Sequence, residues 1–378
     1  IHDLGGLSLL HLTTPEMLAG RSVDFLCVPP GEIARITTLP TSGTTGPPKR
    51  LCFTRGDIEL TVDFFRCGMG TLVSPGERVM IFMPGDTQYS VGALLREALG
   101  RFGCEGIVHG AIADPEAAAR ALRDTGCTCA VGIPSQLYET ACLARGARGI
   151  RVESVLLSAD YAPRSLARGI ELAWGCSVYD HYGMTEMGFG GGVECRARCG
   201  YHMRDADMIF EIVNPYSGRP AAPGEYGQVV FTTLTRRGMP LIRYATGDRS
   251  RAIADPCPCG SGLVRLERIS GRIRDASRLR SGRTVSIEQL DDVVYRDRRV
   301  ASYSAALVSR SGRDVLALTV RPAPGTAFDP GPLSESIVSS ESLHSLFADG
   351  GLSLEITPGA PARAPGSARK RRIDDRRE

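Results

Sequence analysis

The stretch Thr41-Ser42-Gly43-Thr44-Thr45-Gly46-Pro47-Pro48-Lys49 decides how the rest of this 378-residue chain is read. Hydroxyl residues and two glycines crowd between Thr41 and Gly46, and the prolines that follow forbid an immediate helix. Glycine lets the backbone approach a ligand and turn its N–H groups inward, while Ser and Thr hydroxyls add further donors. Lys49 sets a compact positive charge at the rim. A polyphosphate needs all of these. The stretch is not a Walker A loop, because Gly43 and Gly46 are too close together and neither Ser nor Thr follows Lys49. The competing reading is a flexible Gly/Ser/Thr surface loop, so the phosphate reading needs support from elsewhere in the chain.

Composition narrows the classes. The length allows two or three domains with a substantial core. A net charge of +3 and ordinary apolar content imply no nucleic-acid partner. No apolar run reaches the length of a membrane span, and no signal peptide is visible. Ile1 rather than Met opens the sequence, which leaves a preceding segment and any targeting signal open. Twelve cysteines spread over a chain of this size do not resemble a disulfide scaffold, so a reducing cytoplasm with some thiols on metal is expected. Of the 45 basic residues only Lys49 and Lys370 are lysine. Those two are candidates for work that needs a point charge on a flexible stem.

In chain order, Thr13-Thr14-Pro15-Glu16 reads as a helix start, and Arg35-Ile36-Thr37-Thr38 as a strand feeding the glycine-rich stretch. Leu51 to Thr54 returns as a hairpin arm, and Asp57 to Cys67 is helical. From Arg78 to Asp180 short apolar strands alternate with helices, among them a strand Val152 to Ser158, a helix Pro163 to Trp174 and a strand Cys176 to Tyr179. Repeated βα units predict an α/β fold with a largely parallel, helix-covered sheet, whose ligands sit beyond the C-terminal strand ends. Two such ends carry polar residues: Ser158-Ala159-Asp160-Tyr161 and Asp180-His181-Tyr182-Gly183-Met184-Thr185-Glu186. The second holds an aromatic ring to stack a base, a glycine to admit a phosphate and a carboxylate for magnesium. Its bland alternative is a turn with a satisfied Glu. Further on, Arg243-Tyr244-Ala245-Thr246-Gly247-Asp248 offers a carboxylate after a tight turn, suited to two ribose hydroxyls or to an ordinary β-turn.

These three stretches, in this order, resemble the adenylate-forming superfamily, most of all its phenylacetate–CoA ligase branch. Gly224 to Thr235 also reads like that branch. The resemblance runs from about Leu4 to the C-terminus and implies an N-terminal segment that family members carry ahead of it. It further implies a large N-terminal adenylate-forming domain of helix-covered sheets with a small β-rich subdomain, residues 1–271, and a mobile α+β C-terminal domain, residues 272–378. By similarity Thr41, Ser42, Gly43, Thr44, Thr45 and Gly46 hold the β- and γ-phosphates of ATP, with Lys49 adding charge. Tyr182 stacks on adenine within the Tyr182-Gly183-Met184 part of the nucleotide site, Thr185 contacts the α-phosphate and Glu186 binds Mg2+. Asp248 takes the ribose hydroxyls, Arg272 faces the ribose, and Ala159 and Asp160 line the nucleotide pocket, with Tyr161 near the acyl group.

Cys195 and His202, followed by Cys257-Pro258-Cys259-Gly260, supply three thiols and an imidazole suited to tetrahedral Zn2+. The branch includes members with a Cys-x6-His and a Cys-Pro-Cys-Gly at these places. The metal is then a staple for the β-rich part, about 193–268, and Cys199 is a spare that could replace Cys195. Strands are expected at Ile209 to Val213, Gln228 to Leu234, Leu241 to Tyr244 and Leu263 to Leu266, forming one small antiparallel subdomain. Gly271 to Asp275 resembles the family's hinge, with Arg274 or Asp275 as pivot. The family's C-terminal glycine-lysine pair is not intact, since Ser367 follows Gly366, and Lys370 is the candidate for the catalytic lysine. The competing reading of Arg369-Lys370-Arg371-Arg372 is a solvated basic end.

The resemblance implies an ATP-dependent carboxylic acid–CoA ligase acting through an acyl-adenylate, on an aryl acid such as phenylacetate. Its partners are the small carboxylic acid and CoA, without nucleic acid or membrane, and a homodimer is open. Two alternatives stand beside it: an adenylating enzyme that loads a carrier-protein thiol, and a non-catalytic nucleotide- or zinc-binding relative.

Overall fold

The computed structural model describes residues 4–39, 48–273, 276–348, 350–361 and 371–377. Thr41 to Gly46, the pivot candidates Arg274 and Asp275, and Lys370 lie outside the described residues. Two compact units emerge, each discontinuous in sequence. The first comprises Ile1–Gly76, Gly85–Gly106 and Tyr179–Ile273, and the second Glu77–Pro84, Ile107–Val178 and Arg274–Glu378.

In the first unit the helix Pro15–Gly20 starts where its sequence says, with Thr14 as N-cap accepting from the Met17 N–H and proline at the first position. The strands Ile33–Leu39 and Lys49–Thr54 pair antiparallel, with Leu39 opposite Lys49. The hairpin thereby fixes both flanks of the glycine-rich stretch. Thr54 and Asp57 form a reciprocal capping box that opens the helix Arg55–Met69 directly from the second arm. The strand Ser177–Tyr182 is longer than its apolar pattern predicts. Asp180 interrupts that pattern, but it is buried and satisfied: Tyr201 donates to it at 2.6 Å and Arg268 pairs with it at 2.9 Å.

The β-rich part is two sheets rather than one small subdomain. Gly192–Glu194 pairs antiparallel with His181 and Tyr182, then Tyr201–Met203, Arg265–Leu266 and Ala252–Ile253 follow in turn. Met208–Val213, Gly227–Thr233 and Tyr244–Ser250 form a separate three-stranded antiparallel sheet. The last of these begins where Leu241 to Tyr244 was expected to end. Arg243 has φ 48°, a left-handed conformation that breaks the extended run just before Tyr244. Asp248 therefore stands on a strand and not after a turn.

In the second unit Arg78–Phe82, Cys129–Gly132 and Ser154–Leu157 pair in parallel. The helix Pro134–Leu143 connects the last two as a βα unit, Pro115–Thr125 leads into Cys129–Gly132, and Arg164–Trp174 leads out of Ser154–Leu157. The same unit holds a four-stranded sheet in the order Leu352–Pro358, Arg313–Pro322, Val300–Arg310, Asp374–Asp375. One apolar core runs through the unit, with Tyr138 and Tyr295 meeting edge-on at 5.2 Å between ring centres. Each such fully buried apolar side chain contributes about 1.5–3 kcal/mol.

Candidate active site

Lys49 begins the second arm of the hairpin and Glu186 sits in the one-turn helix Thr185–Met187, 137 residues later. Their side chains form an ion pair, and Tyr244 donates its hydroxyl to the same Glu186 oxygen at 3.0 Å. Lys49 also reaches the Tyr244 hydroxyl at 3.4 Å. Burial alone would raise the Glu186 carboxyl, but the charge and hydrogen bond of Lys49 outweigh it and hold the group below the ordinary carboxylate range. The carboxylate is ionised in a nearly dry place, as a divalent-cation ligand must be.

The turn that carries it tolerates one residue type. A Cβ on Gly183 would lie 2.3 Å from the Phe189 carbonyl oxygen, so only glycine fits between the strand and the helix turn. Tyr182, at the strand end, donates to Asp248 at 3.0 Å and stacks on Tyr201 with ring centres 5.8 Å apart. Arg272 pairs with the other Asp248 oxygen at 3.0 Å, and the Asp248 N–H is held by the Thr246 hydroxyl. Lys49, Glu186 and Tyr244 thus form one group, and Tyr182, Asp248 and Arg272 a second. Both lie within the first unit. Thr185 and Met184 flank Glu186 in the chain. Arg243 serves structure instead: it is buried, pairs with Glu211 at 3.0 Å and donates to the Ser8, Leu10 and Gly218 carbonyls.

Arg236 is the residue the sequence did not single out. It is buried, donates from Nη1 to the Glu186 carbonyl at 2.6 Å, and stacks its guanidinium on Phe53 at 4.4 Å. Its signal was hidden in a polar run, Thr235-Arg236-Arg237-Gly238, that reads as a surface loop.

Cys195, His202, Cys257 and Cys259 bring four ligand atoms within 4.8 Å of one another. Cys195 and Cys257 are 3.6 Å apart, and Cys259 is 3.5 Å from His202 Nε2. A tetrahedral zinc with bonds of about 2.0–2.3 Å sets its donors about 3.5–3.8 Å apart, close to the spacing of both pairs, so the set fits that metal. Cys199 stands 3.7 Å from Cys257 but takes a hydrogen bond from Arg265 and is not one of the four. Between this cluster and Tyr182 lies Tyr201, the chain neighbour of His202.

In the second unit, Ala159 adopts φ 73°, a conformation costly for a residue with a Cβ and typical of functional turns. Asp160 beside it accepts from its neighbour Tyr161 and from the Arg371 N–H at 3.1 Å. Tyr161 donates to Asp292 at 3.0 Å. The basic tail is no solvated end at Arg371. That guanidinium pairs with buried Asp291 at 2.5 Å and lies 4.5 Å over the Tyr303 ring. Ile373 is buried, and Asp374–Asp375 joins a sheet edge in parallel.

The chain is similar in sequence and in fold to known proteins. A family model described as "AMP-binding enzyme" matches residues 28–234. The phenylacetate-coenzyme A ligase of Escherichia coli (strain K12) is 29% identical, covering 82% of this chain and 71% of the relative. That of Thermus thermophilus is 31% identical, over 61% of this chain and 55% of the relative. Among solved structures, a 2-hydroxyisobutyryl-CoA ligase in the postadenylation state with 2-HIB-AMP superposes with a TM-score of 0.78 at 23% identity, covering 99% of this chain and 82% of that one. At that identity the likeness speaks for the fold. With a family match over more than half its length, the chain belongs to the AMP-binding enzymes.

Proposed function

We propose that this chain is an ATP-dependent carboxylic acid–CoA ligase that works through an acyl-adenylate. One observation carries the reading: the lysine that closes the phosphate-loop motif meets, across 137 residues, the glutamate of the adenine and magnesium motif. In the first half-reaction the substrate carboxylate attacks the α-phosphorus of ATP, forming acyl-AMP and releasing diphosphate. In the second the CoA thiol attacks the acyl carbon, forming the thioester and releasing AMP. The protein contributes positioning and charge stabilisation.

The proposed roles follow the side chains. Thr41 to Gly46 cradle the β- and γ-phosphates and Lys49 turns from Glu186 to that charge. Tyr182 covers the adenine, Asp248 and Arg272 hold the ribose, and Ala159 and Asp160 line the nucleotide pocket. Thr185 contacts the α-phosphate, and Lys370 reaches the reacting carboxylate. Glu186 is the residue to hold magnesium, which when bound neutralises charge on the triphosphate. Residues from Arg272 onward rotate between the half-reactions. Cys195, His202, Cys257 and Cys259 hold a structural zinc, with no position left open for chemistry.

An aryl acid such as phenylacetate is the proposed substrate, because the chain is similar to the two phenylacetate–CoA ligases above. The proposed setting is the cytoplasm, because twelve cysteines spread over a chain of this size suit a reducing compartment with some thiols on metal. Among the described residues no helix is long and apolar enough to cross a membrane. The test is a panel of aryl and aliphatic acids with Mg·ATP and CoA, reading AMP and thioester. Thioester from aryl acids supports the proposal. Acyl-AMP that accumulates with CoA left unconsumed points to another thiol acceptor, and no AMP with any acid overturns the reading.

A further inference from the structure

Arg236 is an unusual buried cation. Its Nη1 is committed to the Glu186 carbonyl at 2.6 Å, while Nε and Nη2 are buried without a hydrogen-bond partner among the described residues. Leaving guanidinium donors unmade in a dry interior costs stability, and an apolar side chain of similar volume would avoid that cost. The loop around it is nonetheless fixed with care. Asp57, the capping-box residue, accepts from the main-chain N–H groups of Arg237 at 2.8 Å and Gly238 at 2.9 Å. A Cβ on Gly238 would stand 2.7 Å from that same carboxylate, so the loop is tailored to Asp57. The guanidinium face lies on Phe53, in the strand that Lys49 begins, and its edge holds the turn that carries Glu186. One side chain therefore touches both elements whose charged groups meet at the nucleotide site.

We infer that Arg236 is a positioning residue, which sets the Glu186 carboxylate for magnesium by clamping the Glu186 main chain against the Lys49–Thr54 strand. The inference rests on the proposed role of Glu186. Arg236 bonds the main chain of Glu186, not its carboxylate. Its effect passes through the peptide of Glu186, as outer contacts orient metal ligands elsewhere.

The test is equilibrium binding of ATP to the full chain as a function of magnesium concentration, run beside carboxylate-dependent ATP–diphosphate exchange. Arg236→Met is expected to raise the magnesium concentration for half-maximal ATP binding by about tenfold and to lower exchange by a similar factor. Its melting temperature should stay close to the wild type's, because the buried charge goes with the contacts. An unshifted magnesium midpoint overturns the inference. A drop in melting temperature with the midpoint unchanged does the same, since it marks a structural staple only. Should Arg236→Met fail to fold, Arg236→Lys carries the test: one ammonium cannot hold the carbonyl and cover the ring together, so a wild-type midpoint there also overturns the inference. Wild-type protein that binds no ATP at any magnesium concentration overturns the functional reading itself, and this inference with it.

Discussion

The Lys49–Glu186 and Asp248–Arg272 pairs and the cysteine–histidine cluster belong to the same unit, yet they balance their polar groups in opposite ways. In the two pairs opposite charges meet each other: Lys49 lies on Glu186 and Arg272 on Asp248. The cluster gathers like donors, three thiols and an imidazole, none of which neutralises another. A site already compensated must trade contacts when a ligand arrives, so the ligand can also leave. A set of soft donors is compensated only by a cation, which then stays and holds the chain together. The first arrangement suits turnover and the second suits a staple. Tyr201 joins them, stacked on Tyr182 and next to His202 in the chain.

The sharpest way to break this contrast is to take the negative member from the exchanging pair. Glu186→Gln should lower carboxylate-dependent adenylation by about 10²–10³-fold, the cost of one transition-state contact, while ATP still binds. A wild-type exchange rate in this variant would remove Glu186 from the chemistry. Next in size is the staple. Purified protein should carry one zinc per chain, and Cys257→Ser should lower both zinc content and melting temperature. Structural zinc contributes on the order of 10 kcal/mol in small modules, and the large folded surroundings here reduce the net loss. Elemental analysis that finds no transition metal in fresh protein would leave the cluster as four packed side chains. The smallest effect should come from Asp248→Asn, which keeps the shape but weakens the pairs with Arg272 and the ribose. Hydrogen bonds to a charged group are worth about 1.5–3 kcal/mol, so ATP affinity should fall by about tenfold or more, with the exchange rate at saturating ATP little changed. A lower saturated rate at unchanged affinity would move Asp248 from binding to catalysis.

Much of the fold was legible because it is local. Thr14 before Pro15 announces a helix start, and the structure uses it as the cap. The βα alternation from Arg78 onward survives for the same reason. Reading failed where tertiary contacts overrule polarity. Asp180 breaks an apolar pattern yet belongs to a strand, because Tyr201 and Arg268 satisfy it inside. Arg371 sits in a run that looks solvated, yet Asp291, 80 residues away in the chain, draws it into the interior. Arg236 shows the same limit at the candidate site, where the residue types of the motifs could be read but not the side chain behind them. The Lys49–Glu186 pair needed both motifs and the fold that joins them.

Carboxylate-dependent exchange of labelled diphosphate into ATP is the most direct measurement of the central claim, because it reads acyl-adenylate formation without CoA. Wild-type protein with Mg2+ and ATP should exchange label only when an acid is present, fastest with phenylacetate or a related aryl acid. Exchange that ignores the acid, or none with any acid in protein that binds ATP, would contradict the account.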